Sequence, residues 1–176
     1  MINQLLELYK LIDSKKALFS DAGLSPDFYI DVFRGQPLHP ELYEYFSIPA
    51  IFVDYNMRGA GRGNPRTITL TLHIITDTMP DCSNISEQNN DGLNRFLYLY
   101  KLQQILEGAK LGDTTGLVFI DEAPVEIPVV NYHTQSYSFN AYLSSMCGNE
   151  ANVLGEIKSL NIYGSLFKIG SNMAKQ

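Results

Sequence analysis

Three of the chain's five arginines fall within the ten residues Met57 to Arg66, MRGAGRGNPR. Gly59, Gly61 and Gly63 are interleaved with Arg58, Arg62 and Arg66. Glycine lets a backbone approach a bound group closely, and guanidinium groups pair with phosphate or carboxylate. The stretch therefore holds the materials of an anion cradle. Its spacing does not match one. A P-loop needs G-x-x-x-x-G-K-[ST] between a strand and a helix. Aligning Arg66-Thr67 on the Lys-Thr puts Ala60 and Pro65 at the glycine positions, and proline has no amide to offer a phosphate. The glycines also miss G-x-G-x-x-G by one residue, and a strand pattern follows where a helix start would be needed.

Two uses remain for the stretch. It is either a solvated hairpin loop, since Gly, Asn and Pro are ordinary turn residues, or a protruding tip whose arginines engage an acidic surface or a nucleic-acid backbone.

Other residues that could do chemistry are few. His73 and His133 lie within strand patterns next to threonines, and His39 sits between prolines. If the two strands pair, the imidazoles of His73 and His133 could approach each other. With a carboxylate such as Asp121 they would make a small metal-dependent hydrolytic or ligand-binding site, although ligands at metal spacing are missing. Asp121, Glu122 and Glu126 cluster around Pro124 and are expected in a solvated turn at a strand end. Cys82 and Cys147 fit no metal or redox spacing and are expected as free thiols. There is no G-x-S-x-G elbow. No cofactor is expected.

The elements that must position these residues follow from periodicity. Ile2, Leu5, Leu6, Tyr9 and Ile12 predict an amphipathic helix that ends near Phe19. Phe28 to Phe33 suits a short strand, and a helical turn is expected from Pro40. Ile48 to Asn56 is apolar at successive positions, as in a strand buried on both faces. Thr67 to Asp77 alternates, with Ile68, Leu70, Leu72 and Ile74 on one side and Thr67, Thr69, Thr71 and His73 on the other. That is a strand with one apolar face, so the glycine-arginine stretch joins two strands.

Asp91 to Glu107 predicts a helix capped by Asn90 or Asp91 and stopped at Gly108. Leu93, Phe96, Leu97 and Tyr100 form one stripe, widened by Tyr98, Leu99, Leu102, Ile105 and Leu106. Most such aromatics are core, and Tyr98 could reach a subunit interface. GLVFIDE is a short strand. In PVVNYHTQSYSFNAYLSS the apolar phase changes from even positions (Val130, Tyr132) to odd ones (Tyr137, Phe139, Ala141), which predicts a bulge near Thr134 to Ser136. The end of the chain turns polar, with a late strand or hairpin expected around SLNIYGSLFKIG.

The composition sets limits. The chain is 45% hydrophobic and carries a net charge of −6, so a broad basic face for nucleic acid is not available. No signal peptide is recognisable, and no apolar run reaches the ~18 residues of a membrane span.

The segments PAIFVDYN, TITLTLHIITD, GLNRFLYLYKLQQIL and VVNYHTQSYSFNAYL, in this order, resemble the tail-terminator and tail-completion family of tailed bacteriophages. The resemblance covers roughly Met1 to Ser145. It implies a ring, typically of six copies, that stops tail-tube growth and meets other tail or neck proteins. It also implies assembly in the cytoplasm of a bacterial host and residence in the virion tail or neck. The proline-rich stretch from Gln36 to Pro49 and the tail beyond Met146 depart from the family pattern.

Residues 1–145 are thus expected to form one α+β domain: a predominantly antiparallel or mixed sheet with two main helices on one face, followed by an arm at 146–176. The function expected is structural and non-enzymatic, with self-association, no membrane partner and at most transient nucleic-acid contact in a lumen. Arg58, Gly59, Gly61, Arg62, Gly63 and Arg66 would be its contact residues. A metal-dependent enzyme and a monomeric adaptor are the alternatives.

Overall fold

The computed structural model describes residues 1–39, 45–59, 61–76, 82–87, 89–127 and 130–146. In chain order the elements are α1 (Ile2–Ser14), the short α2 (Ala17–Ser20), β1 (Tyr29–Val32), β2 (Ala50–Arg58), β3 (Arg66–Ile75), α3 (Asn89–Leu106), β4 (Val118–Val125) and β5 (Tyr132–Ala141). A 3-10 turn at Leu143–Ser145 follows. The strands form one sheet in the order β1-β2-β3-β5-β4. β1 runs parallel to β2, and the other neighbours are antiparallel. This is an α+β fold on a mixed sheet. The helical turn expected from Pro40 and the arm expected beyond Met146, with its late strand, lie outside the described residues, as does Cys147.

The alternation in β3 builds the core. Ile68, Leu70, Leu72 and Ile74 are each at most 1% exposed and point at the helical layer. Leu8 and Ile12 of α1, Phe19 of α2, and Leu99, Leu102 and Leu106 of α3 cover them. Full burial of one such side chain is worth about 1.5–3 kcal/mol, so this stripe accounts for the sheet's orientation toward the helices.

α1 buries only part of the stripe its apolar spacing predicts, with Ile12 in the core and Leu5 packed against it. Leu8 and Ile12 are buried, whereas Ile2 is 63% and Leu6 49% exposed. Gln4 takes a core position, where its Nε2 donates to Ser145 O at 3.0 Å while its Oε1 stays buried without a partner. In α3, likewise, Tyr98, Leu99, Leu102, Ile105 and Leu106 form the buried face, while Leu93, Phe96 and Tyr100 are exposed. Tyr98 is therefore core rather than interface. It packs against Phe19 and Phe28, and Ser25 N donates to its hydroxyl at 2.9 Å. α3 begins at Asn89, so Asn90 and Asp91 lie inside its first turn rather than at the cap. Gly108 ends it with φ +76°, the left-handed stop that glycine allows.

A second apolar cluster lies on the opposite face at one end of the sheet. Ala50, Phe52, Ile75 and Tyr132 form it, with Phe33, Phe46, Val125, Ile127 and Val130 packed against them. It explains why β2 is apolar at every position from Ala50 to Val53 and exposed from Asp54 to Asn56.

The same cluster corrects the predicted bulge. β5 pairs with β3 without interruption from Tyr132 to Ala141. The register shift lies in β4, between Phe119 and Asp121. The phase change in β5 arises because Tyr132 fills the second cluster, whereas Tyr137, Phe139 and Ala141 face the helices. Both phases read as apolar because both faces are covered at that end.

Candidate functional site

The glycine-arginine stretch is the tip of the β2–β3 hairpin. Arg58 is the last residue of β2 and pairs with Thr67, and Arg66 opens β3. A strand follows Pro65, so no helix start is available for a nucleotide. Gly61 (φ +93°) and Gly63 (φ +83°) occupy the left-handed region that turns the chain back. Gly59 gives room to Arg66: a Cβ there would sit 3.2 Å from Arg66 Nη1. Arg58 and Arg62 are exposed and Arg66 is half-buried. None of the three takes part in the ion pairs found among the described residues.

The register sends the arginines in different directions. Side chains alternate along a strand. Arg58 shares the phase of Ala50 and Phe52 and so faces away from the helices. Arg66 shares the phase of Ile68 and Leu70 and leaves on the helical side. The tip thus presents charge to both sides of the sheet plane.

The open face beside Arg58 is rich in hydroxyl groups. Transverse rows run Asp54–Thr71–Ser136–Asp121, then Asn56–Thr69–Ser138–Val118, then Arg58–Thr67–Asn140. Thr67 Oγ1 donates to Asn140 Oδ1 at 2.9 Å. Among the described residues, the outer strands β1 and β4 each pair on one side only. β4 exposes Val118 and Ile120 (58% and 50%) at its bulge.

The sheet keeps the two strand histidines apart. In the β3–β5 register His73 pairs with Thr134, and His133 pairs with Ile74. The two imidazoles therefore emerge on opposite faces. His73 stacks on Phe33 with ring centroids 3.7 Å apart, and its Nδ1 is hydrogen-bonded to the Tyr132 hydroxyl. Burial lowers its pKa against an opposing pull from Asp54. The same burial pushes the Tyr132 hydroxyl up to about 12. His133 faces Phe96 of α3, and burial, helped by the Arg95 charge, lowers its pKa against Glu122. Among the described residues no group of three His, Cys, Asp or Glu is placed to hold a metal ion. Asp121 and Glu122 lie within β4 rather than in a turn, and consecutive strand positions send them to opposite faces. Cys82 is a free thiol.

One buried and one half-buried polar residue escape the sequence patterns. Gln135 is fully buried; its Nε2 donates to Leu99 O at 3.0 Å and to Glu122 Oε2 at 2.7 Å, and its Oε1 accepts from the Tyr137 hydroxyl at 3.0 Å. The available signal was a glutamine in the same strand phase as Tyr137 and Phe139. Arg95 lies over the Phe96 ring, 4.7 Å from its centroid, and donates to Asn131 Oδ1 at 2.6 Å. Nothing in its local sequence marks it.

No family model matches the chain, and no curated protein matches it significantly. No helix among the described residues is long and apolar enough to cross a membrane.

Proposed function

We propose that this protein is a non-enzymatic structural component of a phage or prophage tail, terminator-like, that closes into a ring at the end of the tail tube or at the neck. The observation that carries the reading is the β2–β3 tip, where Arg58, Arg62 and Arg66 stand without ion pairs among the described residues on an otherwise acidic chain. Unpaired guanidinium groups on a projecting hairpin favour contact with a carboxylate-rich or phosphate-rich surface. The β4 edge, with Asp121, Glu122 and Glu126 exposed, offers such a surface on a second copy. Edge strands paired on one side suit head-to-tail association, and a heterologous contact that closes generates a ring. Tail-tube and neck proteins are the other partners, and nucleic acid touches the tip only in passing through the lumen. Assembly takes place in the bacterial cytoplasm and the product resides in the virion.

The test is complementation of a gene deletion in the phage or prophage that encodes the chain, read by electron microscopy of the particles. The wild-type gene restores tails of defined length joined to heads. The triple variant Arg58→Glu, Arg62→Glu, Arg66→Glu folds but does not restore them. Normal particles from that variant, or normal particles without the protein, overturn the proposal.

A further inference from the structure

A groove of about 620 Å³ opens between the first half of α3 and the adjoining ends of β4 and β5. That volume lies within the range of small-molecule sites, roughly 300–1,000 Å³. Its walls are mostly apolar: Phe96, Pro124, Val125, Ile127, Val130 and Tyr132. The polar groups are Arg95, Asn131 and His133, with Glu122 and Glu126 also on the wall.

Among the described residues Arg95 has no carboxylate partner. Its Nη1 is held by the neutral Asn131 amide, its Nη2 faces Cys82 Sγ at 3.7 Å, and none of the ion pairs among the described residues includes it. Its Nε and the Nδ1 of His133, a side chain only 8% exposed, are both buried without hydrogen-bond partners. A cation drawn out of water without a counter-ion is costly, and so is a buried polar nitrogen left unsatisfied. The wall is therefore short of an acceptor carrying negative charge. The neighbouring carboxylates do not fill that place: Glu122 and Glu126 are both exposed, and neither forms an ion pair with Arg95.

We infer that this groove binds a monoanionic carboxylate carrying a branched apolar body, with Arg95 as the charge partner and the Val125–Ile127–Val130 wall receiving the hydrocarbon. A guanidinium group favours carboxylate through paired hydrogen bonds. Glu122 and Glu126 select against multiply charged ions such as phosphate, because like charges cost more as the ligand's charge rises. The site stands apart from the hairpin tip and does not depend on ring formation. Such a carboxylate could come from a free acid or from the end of a polypeptide chain with an apolar last residue.

The experiment is an NMR titration of the full chain with N-acetyl-leucine, its amide, hexanoate and inorganic phosphate. N-acetyl-leucine is expected to give saturable shifts at the Arg95 and His133 signals, and its amide to bind about tenfold more weakly or worse, the loss of one charge-assisted pair. Arg95→Gln abolishes the response, and Arg95→Lys keeps part of it. Equal binding of acid and amide, phosphate binding as well as the acid, an unchanged titration in Arg95→Gln, or no saturable shift with any probe overturns the inference. Should Arg95→Gln not fold, the acid-against-amide comparison on the wild-type chain decides alone. A peptide ending in leucine that binds more tightly than N-acetyl-leucine supports the site and assigns it to a chain end. Equal affinity supports it and assigns a free acid.

Discussion

Replacing Gln135 with leucine cuts a polar thread that ties α3, β4 and β5 together. The two side chains are close in volume, so the change opens little cavity and the loss is polar. Glu122 is exposed and returns to water at little cost. The Tyr137 hydroxyl does not: Tyr137 has no exposed surface, and its pKa is raised by burial first and by Glu107 and Glu122 second, so it stays protonated without an acceptor. An orphaned buried hydroxyl costs about 1–3 kcal/mol. The extra apolar burial of leucine returns roughly 1 kcal/mol. Gln135→Leu should therefore destabilise by about 0–2 kcal/mol, a fall in melting temperature of up to about 8 °C for a chain of this size. Tyr137→Phe alone should cost about 1 kcal/mol, since it strands Gln135 Oε1. The double variant removes both halves of the bond and should be more stable than the sum of the singles predicts by about 1 kcal/mol. Urea unfolding of the four proteins measures the cycle. Strict additivity, within about 0.3 kcal/mol, would refute the hydrogen bond and the placement of Gln135 in the core.

Stability should fall on acidification through the two strand histidines. Both have pKa values lowered from 6.5 by burial, so below that value the unfolded chain takes up protons the native state refuses. The stabilisation is present above about pH 6.5 and is lost as pH drops toward the native values. Urea midpoints measured from about pH 7.5 down to about pH 5.5 should decline in the wild type and flatten in His73→Asn, His133→Asn; a level wild-type profile contradicts the burial of the two rings. Gly116→Ala should cost about 1–3 kcal/mol by overpacking, because a Cβ there would meet Gly108 O at 2.9 Å where Gly108 N and Leu117 N make backbone bonds across the loop. Thermal unfolding checks this, and an unchanged midpoint counts against the close approach. Leu72→Ala, at a fully buried position in the central strand, should cost about 3–5 kcal/mol by denaturant unfolding. The double variant Arg58→Glu, Arg62→Glu, at two exposed positions of the hairpin tip, should stay within about 0.5 kcal/mol of wild type by denaturant unfolding, as exposed sites away from packing do. A larger loss would mean that the tip supports the fold.

Local pattern by itself determined the main elements and the hairpin. Period-two alternation from Thr67 to Ile74 specifies a strand with one buried face whatever packs on it, since successive side chains must point to opposite sides. The proline and glycines between two strand patterns exclude a phosphate-binding helix start for backbone reasons alone. The α+β class follows from the order of these patterns.

What the sequence left open was settled by partners distant along the chain. The core position of Gln4 on α1 is visible only in the structure, where the Ser145 carbonyl accepts from its Nε2 from 141 positions away. The two phases of β5 looked like a bulge because pattern shows that a residue is apolar, not which of two covered faces receives it; the second cluster around Phe52 and Tyr132 supplies that face. The separation of His73 from His133 is a matter of register, and a shift of one residue would have put both on one side. Arg95 was equally illegible. A lone arginine on a helix ordinarily reads as solvated, and only the packing of α3 against Asn131 and His133 draws it into a groove with no counter-ion among the described residues.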